Sequence, residues 1–330
     1  VSIDQRLQFL AYRELKSAIA QYEALSGSFV LLDVQTGEVL AMANQPSYNP
    51  NNRIQLDLSS VRNRAVTDVF EPGSTVKPFT VAVALESGLD MGYTIDTSPG
   101  FLKVDDAVIK DPRNRGVLDL GGILAYSSQV GISRLALSLN EYDIWKQFQT
   151  LGFGEVTGVG FPGESSGFLP NRRRWKDIER VTFAYGYGLT VTPLQLASAY
   201  STIASGGIKR EVTLIADQVS EGERVMNARI ALQLQSMLGR VITEGTGQKA
   251  AIESYDVGGK TGTARKIGEN GYDDTRHIAF FAGFAPQYSP RFVGVVLINE
   301  PKTEQVGGGS IAAPIFSRVM LLRPQLRSEE

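Results

Sequence analysis

Residues 70–77 read Phe-Glu-Pro-Gly-Ser-Thr-Val-Lys. This stretch contains a serine that could act as a nucleophile and a lysine that could act as its base. Pro72 and Gly73 interrupt the structure before them, so we expect a helix to open at Ser74 with its electropositive end at the serine. Lys77 follows three residues later, on the same face of that helix. A serine hydroxyl is a poor nucleophile alone, and Lys77 is placed to activate it.

An S-x-x-K tetrad alone is weak support for an enzyme. A chain of 330 residues holds about one or two such tetrads by chance. Ser74 could simply cap the helix, with Lys77 solvated in its first turn. The interpretation therefore depends on partners elsewhere in the chain.

One partner is the K-[ST]-G triplet at residues 260–262, which occurs once. Its glycines let the backbone pass close to a ligand, while Lys260, Thr261 and Thr263 offer a cation and hydroxyls that suit a substrate carboxylate. The alternative is a glycine-rich strand entry with an exposed lysine.

A third partner would be a serine with an amide residue two places on, and three segments qualify. Ser47-Tyr48-Asn49 lies in a Pro- and Asn-rich turn, and Ser138-Leu139-Asn140 follows a helical pattern, so both are predicted to be structural. Ser127-Ser128-Gln129 lies between two helical patterns, where a short polar loop can point side chains into a cleft. We assign the third partner to this last segment.

In this order, the three elements resemble the transpeptidase domain of class B penicillin-binding proteins, most closely its cell-division enzymes. Family-like stretches continue along the chain, at residues 36–42, 63–74, 185–188, 243–247 and 281–286. One departure is Gln129, which stands where the family usually has asparagine. Because glutamine moves the amide by roughly a bond length, we hypothesise that substrate or antibiotic selectivity differs from that of the usual enzyme.

The pattern predicts an α+β fold, and the resemblance implies the penicillin-binding protein/serine β-lactamase-like transpeptidase fold. We expect an antiparallel sheet built from both chain ends, at about 26–45 and 255–323, flanked by helices over 7–25 and 311–322. A helical lobe is inserted at about 75–250. The resemblance implies a single transpeptidase domain over 1–330, with the N-terminal membrane anchor and pedestal domain absent from this chain.

The resemblance also implies a role for each site residue. Ser74 forms an acyl-enzyme on D-Ala-D-Ala stem peptides, Lys77 takes its proton, and Ser127 relays a proton to the leaving nitrogen. The remaining predicted site residues contact substrate: Gln129, Lys260, Thr261, Gly262 and Thr263, with Tyr187 and Arg265 as further candidates for lining the cleft. The implied function is a penicillin-sensitive peptidoglycan D,D-transpeptidase that cross-links the septal cell wall.

Three alternatives share the acylation motifs. A D,D-carboxypeptidase or a β-lactamase gives the acyl group to water, and a non-catalytic β-lactam sensor keeps it. Class A β-lactamases use a loop glutamate for hydrolysis, but Glu164 lies in Pro-Gly-Glu-Ser-Ser-Gly without the asparagine that such a loop carries. We therefore predict that Glu164 is a turn residue.

Composition gives no support for a nucleic-acid-binding protein, a metal site or a membrane-spanning segment in this sequence. A hydrophobic content of 42% can supply a sizeable core, and a net charge of −2 gives no reason to expect nucleic acid. The chain has no cysteine and one histidine, His277, in a loop-like run, so we expect neither a metal site nor a cofactor. No apolar run approaches the roughly 18 residues that span a bilayer.

The resemblance implies both partners and a location. The partners are peptidoglycan stem peptides, lipid-linked nascent glycan, β-lactams bound covalently at Ser74, and divisome proteins bound through the missing N-terminal region. The location is the periplasmic face of the bacterial inner membrane, where the parent protein is anchored.

Overall fold

A computed structural model describes residues 1–52, 57–218, 220–268 and 271–321. The α-helices are α1 (Gln5–Gln21), α2 (Leu58–Val61), α3 (Arg64–Thr67), α4 (Lys77–Glu86), α5 (Leu120–Ala125), α6 (Gln129–Ser138), α7 (Glu141–Thr150), α8 (Asp177–Ala184), α9 (Pro193–Ala204), α10 (Ala228–Thr243) and α11 (Gly308–Leu321). Short 3₁₀ turns cover Gly73–Val76 and Gln248–Ala250.

The strands fall into one large sheet and three small ones. They are β1 (Ser26–Asp33), β2 (Val39–Gln45), β3 (Thr94–Asp96), β4 (Phe101–Val104), β5 (Ala107–Lys110), β6 (Val117–Asp119), β7 (Ile208–Lys209), β8 (Glu223–Arg224), β9 (Gly258–Gly268), β10 (Gly271–Ala285) and β11 (Phe292–Asn299).

Five antiparallel strands form the large sheet, in the order β2-β1-β11-β10-β9. The N-terminal hairpin β1–β2 joins the C-terminal strands through β11, with Phe29 opposite Val296. The chain between β2 and β9 forms most of the helical lobe, which packs on the sheet. The predicted α+β class, with a sheet built from both chain ends, is therefore confirmed.

Both faces of this sheet are covered, because alternate residues of each strand enter different cores. Phe29, Leu31 and Phe281 point into a core shared with α1 and α11. Val30 and Phe280 point into the larger core of the helical lobe. Accordingly, every residue of β1 is buried, so the sheet is the middle layer of the domain.

The helix α1 shows why these segments fold as they do. Asp4 caps it by accepting hydrogen bonds from the backbone N–H groups of Arg6 and Leu7. Its buried residues recur every three or four positions and form one apolar stripe: Leu7, Leu10, Ala11, Leu15 and Ala18. That stripe is the face that packs on β1 and β2.

The structure corrects several sequence predictions. Ser74 lies in the 3₁₀ turn and α4 begins at Lys77, because Gly73 adopts a φ of +47° and its N–H bonds to Gly186 rather than entering a helix. The loop predicted around His277 is part of β10. Residues 322 and 323 of the predicted C-terminal helix and sheet region lie outside the described residues.

The middle of the chain also contains β3–β6, β4–β5 and β7–β8, which periodicity missed because each strand has only two to four residues. The helix α8 was not predicted either. Across the described ranges, no helix combines the length and apolarity needed to cross a bilayer.

Truncating a ring between the sheet and α11 should destabilise the domain. Phe281 is fully buried, with its ring 4.9 Å from that of Phe316, so Phe281→Ala should lower the free energy of unfolding by about 3–5 kcal/mol. Phe9→Ala is the matched control, because Phe9 is 60% exposed and should change it by less than about 0.5 kcal/mol. Urea denaturation of both variants measures the difference, and equal losses would contradict this account of the core.

Candidate active site

The backbone beneath Ser74 is held from two sides. The Thr75 hydroxyl donates to the Pro72 carbonyl at 2.6 Å, and the fully buried Tyr200 hydroxyl donates to the Thr75 carbonyl at 2.7 Å. On the other side, a Cβ at Gly186 would lie 2.2 Å from the Gly73 carbonyl oxygen, so only glycine permits this approach. The turn thus presents Ser74 from a rigid base.

Lys77 opens α4 with a fully buried side chain. Its amine donates to the Ser127 carbonyl at 2.7 Å and the Ser128 carbonyl at 3.3 Å, and lies 3.3 Å from the Ser127 hydroxyl. Burial lowers the pKa of Lys77 to about 7, against the opposing charge of Asp111. A substantial share of this lysine is therefore neutral near pH 7.

Asp111 holds the second motif in place and was missed by the sequence analysis. Its carboxylate accepts hydrogen bonds from the Ser128 hydroxyl at 2.5 Å and from the backbone N–H groups of Gln129 at 2.6 Å and Val130 at 3.2 Å. These contacts fix the start of α6 and the preceding loop, in which Ser127 has a φ of +57°. Asp111 carries no motif of its own, so only the fold could reveal it.

The third motif lies on β9, at the edge of the large sheet. Lys260 is fully buried, and its pKa lies well below the usual lysine value because of burial and the nearby charge of Lys77. The Thr261 hydroxyl lies 2.6 Å from that of Thr246, and the Gly308 N–H donates to the Thr263 hydroxyl at 3.1 Å. Thr246 belongs to the family-like stretch at residues 243–247, but nothing in the sequence linked it to this motif.

Gly262 has a steric role. A Cβ at this position would lie 1.9 Å from the Phe280 ring, so a larger residue would push β9 away from β10. A Cβ at Gly308 would lie 2.4 Å from the Gly262 carbonyl oxygen. The two glycines let β9 and the start of α11 approach each other beside the cleft.

A cavity of about 700 Å³ brings residues of the three motifs together between the sheet edge and the helical lobe. The predicted residues that line it are Ser74, Ser127, Gln129, Thr261, Gly262 and Thr263. Lys77 and Lys260 are buried behind this surface. A larger cavity, about 870 Å³, is lined by residues that include Leu151, Val159, Lys209 and Glu223 and by none of the motif residues.

Tyr187 and Arg265 lie apart from the Ser74 cavity. They line a second cavity of about 490 Å³ with Trp175 and Tyr272, and Gln129 contributes to the walls of both cavities. The Tyr187 and Tyr272 rings meet edge to face, with their centroids 5.5 Å apart. We call this second space the aromatic cavity.

Glu71 ties the aromatic cavity to the segment that precedes the nucleophile. One of its oxygens accepts hydrogen bonds from the Gly188 N–H at 2.8 Å and the Tyr272 hydroxyl at 3.1 Å. Burial raises the pKa of this carboxyl, and the two donors partly offset that shift. Glu71 thus links the segment before Ser74 to the wall of the aromatic cavity.

The rejected serine–amide segments have local roles, as predicted. The Ser138 hydroxyl donates to the Leu135 carbonyl within its own helix, and Asn140 caps α7 by accepting from the Tyr142 N–H. Asn49 accepts from the Asn51 N–H in a turn. Within the described ranges, no group of three or more His, Asp or Glu residues could hold a metal ion.

Known proteins resemble the chain along nearly all its length. The family described as penicillin binding protein transpeptidase domain matches residues 27–321. Peptidoglycan D,D-transpeptidase FtsI of Escherichia coli strain K12 is 47% identical over 323 residues, which cover 97% of this chain and 55% of that protein. The probable peptidoglycan D,D-transpeptidase PenA of Neisseria flavescens is 42% identical over 97% of this chain and 80% of its own length.

Solved structures agree with these sequence matches. The apo transpeptidase domain of Burkholderia pseudomallei penicillin-binding protein 3 superposes with a TM-score of 0.90 at 38% identity, covering 98% of this chain and 96% of that one. The chain spans 55% of its E. coli relative, about half. The resemblance to class B proteins is confirmed, and the chain belongs to the penicillin-binding protein transpeptidase family.

Proposed function

We propose that this chain is the catalytic domain of a penicillin-sensitive peptidoglycan D,D-transpeptidase that cross-links the septal cell wall. The observation that carries the proposal is the buried Lys77 amine, which contacts Ser127 beside the cavity lined by Ser74. A lysine that is partly neutral near pH 7 can accept a proton, whereas an ordinary surface lysine cannot. The names of the relatives point to the same activity.

In acylation, the Ser74 oxygen attacks the carbonyl carbon of the D-Ala-D-Ala amide while neutral Lys77 takes the hydroxyl proton. The backbone N–H groups of Ser74 and Thr263 hold the resulting oxyanion, where each donor contributes roughly a hundredfold in rate. The C–N bond then breaks, and the leaving nitrogen receives the proton from Lys77 through the Ser127 hydroxyl. The products are an acyl-enzyme and free D-alanine.

The third motif binds the carboxylate of the D-alanine that leaves. Thr261 and Thr263 line the cavity, and Lys260 is buried directly behind them. Gln129 is placed to hold the amide backbone of the donor peptide, because it lies where the Ser74 cavity meets the aromatic cavity. Tyr187 and Arg265 would then contact the donor beyond Gln129.

The carboxylates near Ser74 argue against a class A β-lactamase. Among the described residues, the only carboxylate that lines the Ser74 cavity is Asp111, which is already held by three donors. Glu164 instead accepts a hydrogen bond from the Thr157 N–H at 2.6 Å and is not among the lining residues. A class A β-lactamase activates water with a loop glutamate, and among the described residues that line this cavity no carboxylate is free for that role.

The proposal extends to the parent protein. By family membership, it would be anchored at the periplasmic face of the bacterial inner membrane and act on stem peptides of lipid-linked nascent glycan. Divisome proteins would bind it through regions outside this chain. β-Lactams would acylate Ser74 in place of the stem peptide.

Covalent labelling tests the nucleophile directly. Labelled penicillin should attach at one site, Ser74, and Ser74→Ala should abolish the adduct because no other side chain supplies the attacking oxygen. Ser138→Ala is the matched control, since that hydroxyl only bonds within its own helix, and it should label normally. Mass spectrometry locates the adduct, and persistent labelling of Ser74→Ala would refute the mechanism.

The lifetime of this adduct separates a penicillin-inhibited transpeptidase from a β-lactamase. An adduct that lasts for hours is expected of a penicillin-inhibited transpeptidase, because no carboxylate is free to activate water. Release within seconds would instead indicate a β-lactamase.

Acylation should depend on the proton state of Lys77. Because the neutral amine is the base and the pKa of Lys77 is about 7, the acylation rate should rise with pH, with a midpoint near that value. Asp111 favours the protonated amine, so Asp111→Asn should lower the pKa and move the midpoint to lower pH. Stopped-flow acylation measures both profiles.

The control for this profile is Asp106→Asn, which removes an exposed carboxylate in the β4–β5 turn and should leave the midpoint in place. An unchanged or raised midpoint in Asp111→Asn would contradict the role of Asp111.

The unusual amide at the second motif should affect selectivity. Gln129 lines both cavities, so Gln129→Asn should change acylation rates unequally across β-lactams that differ in their side chains. A panel of penicillins and cephalosporins measures those rates. The selectivity hypothesis is wrong if all the rates stay the same.

A further inference from the structure

We propose that the part of the Ser74 cavity bounded by Lys110 and Lys249 binds the acceptor stem peptide and that the two ammonium groups hold its terminal carboxylate. This inference rests on the proposed transferase function and gives the second substrate a place. It begins from the two cavities that meet at Gln129.

The direction of attack decides which cavity the acceptor enters. The leaving D-alanine has its carboxylate at Thr261 and Thr263, which line the Ser74 cavity and not the aromatic cavity. Transfer to an amine repeats the first step in reverse, so the attacking nitrogen must occupy the position that the leaving nitrogen vacated. The acceptor therefore enters through the Ser74 cavity, while the donor extends past Gln129.

The Ser74 cavity has room for more than the alanine that leaves. Its volume of about 700 Å³ lies within the range of roughly 300–1,000 Å³ found for sites that enclose drug-sized ligands. Beyond the motifs, its walls include Lys110, Pro112, Tyr126 and Lys249. A peptide can therefore occupy the space that a single residue would leave unfilled.

Lys110 and Lys249 lie on two different walls of the Ser74 cavity. One wall is next to the second motif and the other is next to the third. Lys110 ends β5, one residue before Asp111, which holds the second motif. Lys249 lies in the 3₁₀ turn that follows Thr246, and Thr246 contacts Thr261 of the third motif. A carboxylate between these walls can meet an ammonium group from either side.

Neither charge is compensated locally. Lys110 and Lys249 are exposed, and neither forms a salt bridge within the part of the chain that the structure describes. The one lining carboxylate, Asp111, is engaged by the Ser128 hydroxyl and two backbone N–H groups. The Ser74 cavity thus presents free positive charge to an anionic ligand.

The aromatic cavity differs in this respect. There Arg172 pairs with Glu179, and Arg265 pairs with Asp274 at 2.6 Å. Each cation that lines this cavity already has a carboxylate partner. The contrast places the site for an additional carboxylate on the Lys110 and Lys249 side.

Competition between two acceptor peptides for the acyl-enzyme tests the proposed acceptor site. The donor is an N-acyl-D-alanyl thioester, and the acceptors are two synthetic peptides that carry a side-chain amine and end in D-Ala-D-Ala, one as the free carboxylate and one as the carboxamide. Chromatography measures the ratio of transfer to the two peptides, so any common loss of acylation cancels. Wild-type protein should prefer the carboxylate peptide by about fivefold at low salt, a preference that weakens as salt is added.

Charge reversal should remove that preference. Lys249→Glu and Lys110→Glu should each bring the ratio close to one or below it. Lys16→Glu makes the same charge change on the exposed surface of α1 and should keep the wild-type ratio. An unchanged ratio in both cavity variants, or equal transfer by wild-type protein to both peptides, would overturn the acceptor site and leave the transferase function standing. Thioester hydrolysis without transfer to either peptide would overturn both.

Discussion

The site depends on one buried amine. Lys77 is enclosed by the helical lobe and meets the carbonyl groups of Ser127 and Ser128 instead of a carboxylate. The fall of its pKa from 10.5 to about 7 corresponds to about 5 kcal/mol against the charged form. An ion pair in the same place would have kept this lysine charged and useless as a base. Burial, more than any single contact, lowers the pKa of Lys77.

Such burial requires the second motif to be in place over Lys77 before substrate arrives. The Lys77 amine has hydrogen-bond acceptors only because the loop at Ser127 covers it. Asp111 holds that loop through its hydrogen bonds at the start of α6. Asp111 also stabilises the protonated amine, so the residue that orders the site limits how far the pKa of Lys77 falls. The Asp111 carboxylate therefore both orders the loop that covers Lys77 and keeps the pKa of Lys77 from falling further.

Much of this site could be predicted from the sequence, and the exceptions have a common cause. Ser74, Lys77 and the triplet at 260–262 could be proposed from spacing because each motif is contiguous and its chemistry is local. Asp111 and Lys249 were not found, because they become neighbours of the motifs only through the fold. Tyr187 and Arg265 were assigned to the cleft as a whole, and only the structure separates their cavity from the one that contains Ser74.

In the fold, too, features set by local sequence were predicted and features set by distant contacts were not. Strands β1, β2, β10 and β11 contain apolar runs, and β9 was predicted around the glycine-rich third motif. In contrast, β3 to β8 have two to four residues each and lack a periodic signal. The turn at Ser74 was expected to be an α-helix, since Pro72 and Gly73 suggest a helix start. Its 3₁₀ form depends on contacts with Gly186 and Tyr200, more than 110 residues away. Local sequence can propose a nucleophile, but the geometry that presents it is set by distant packing.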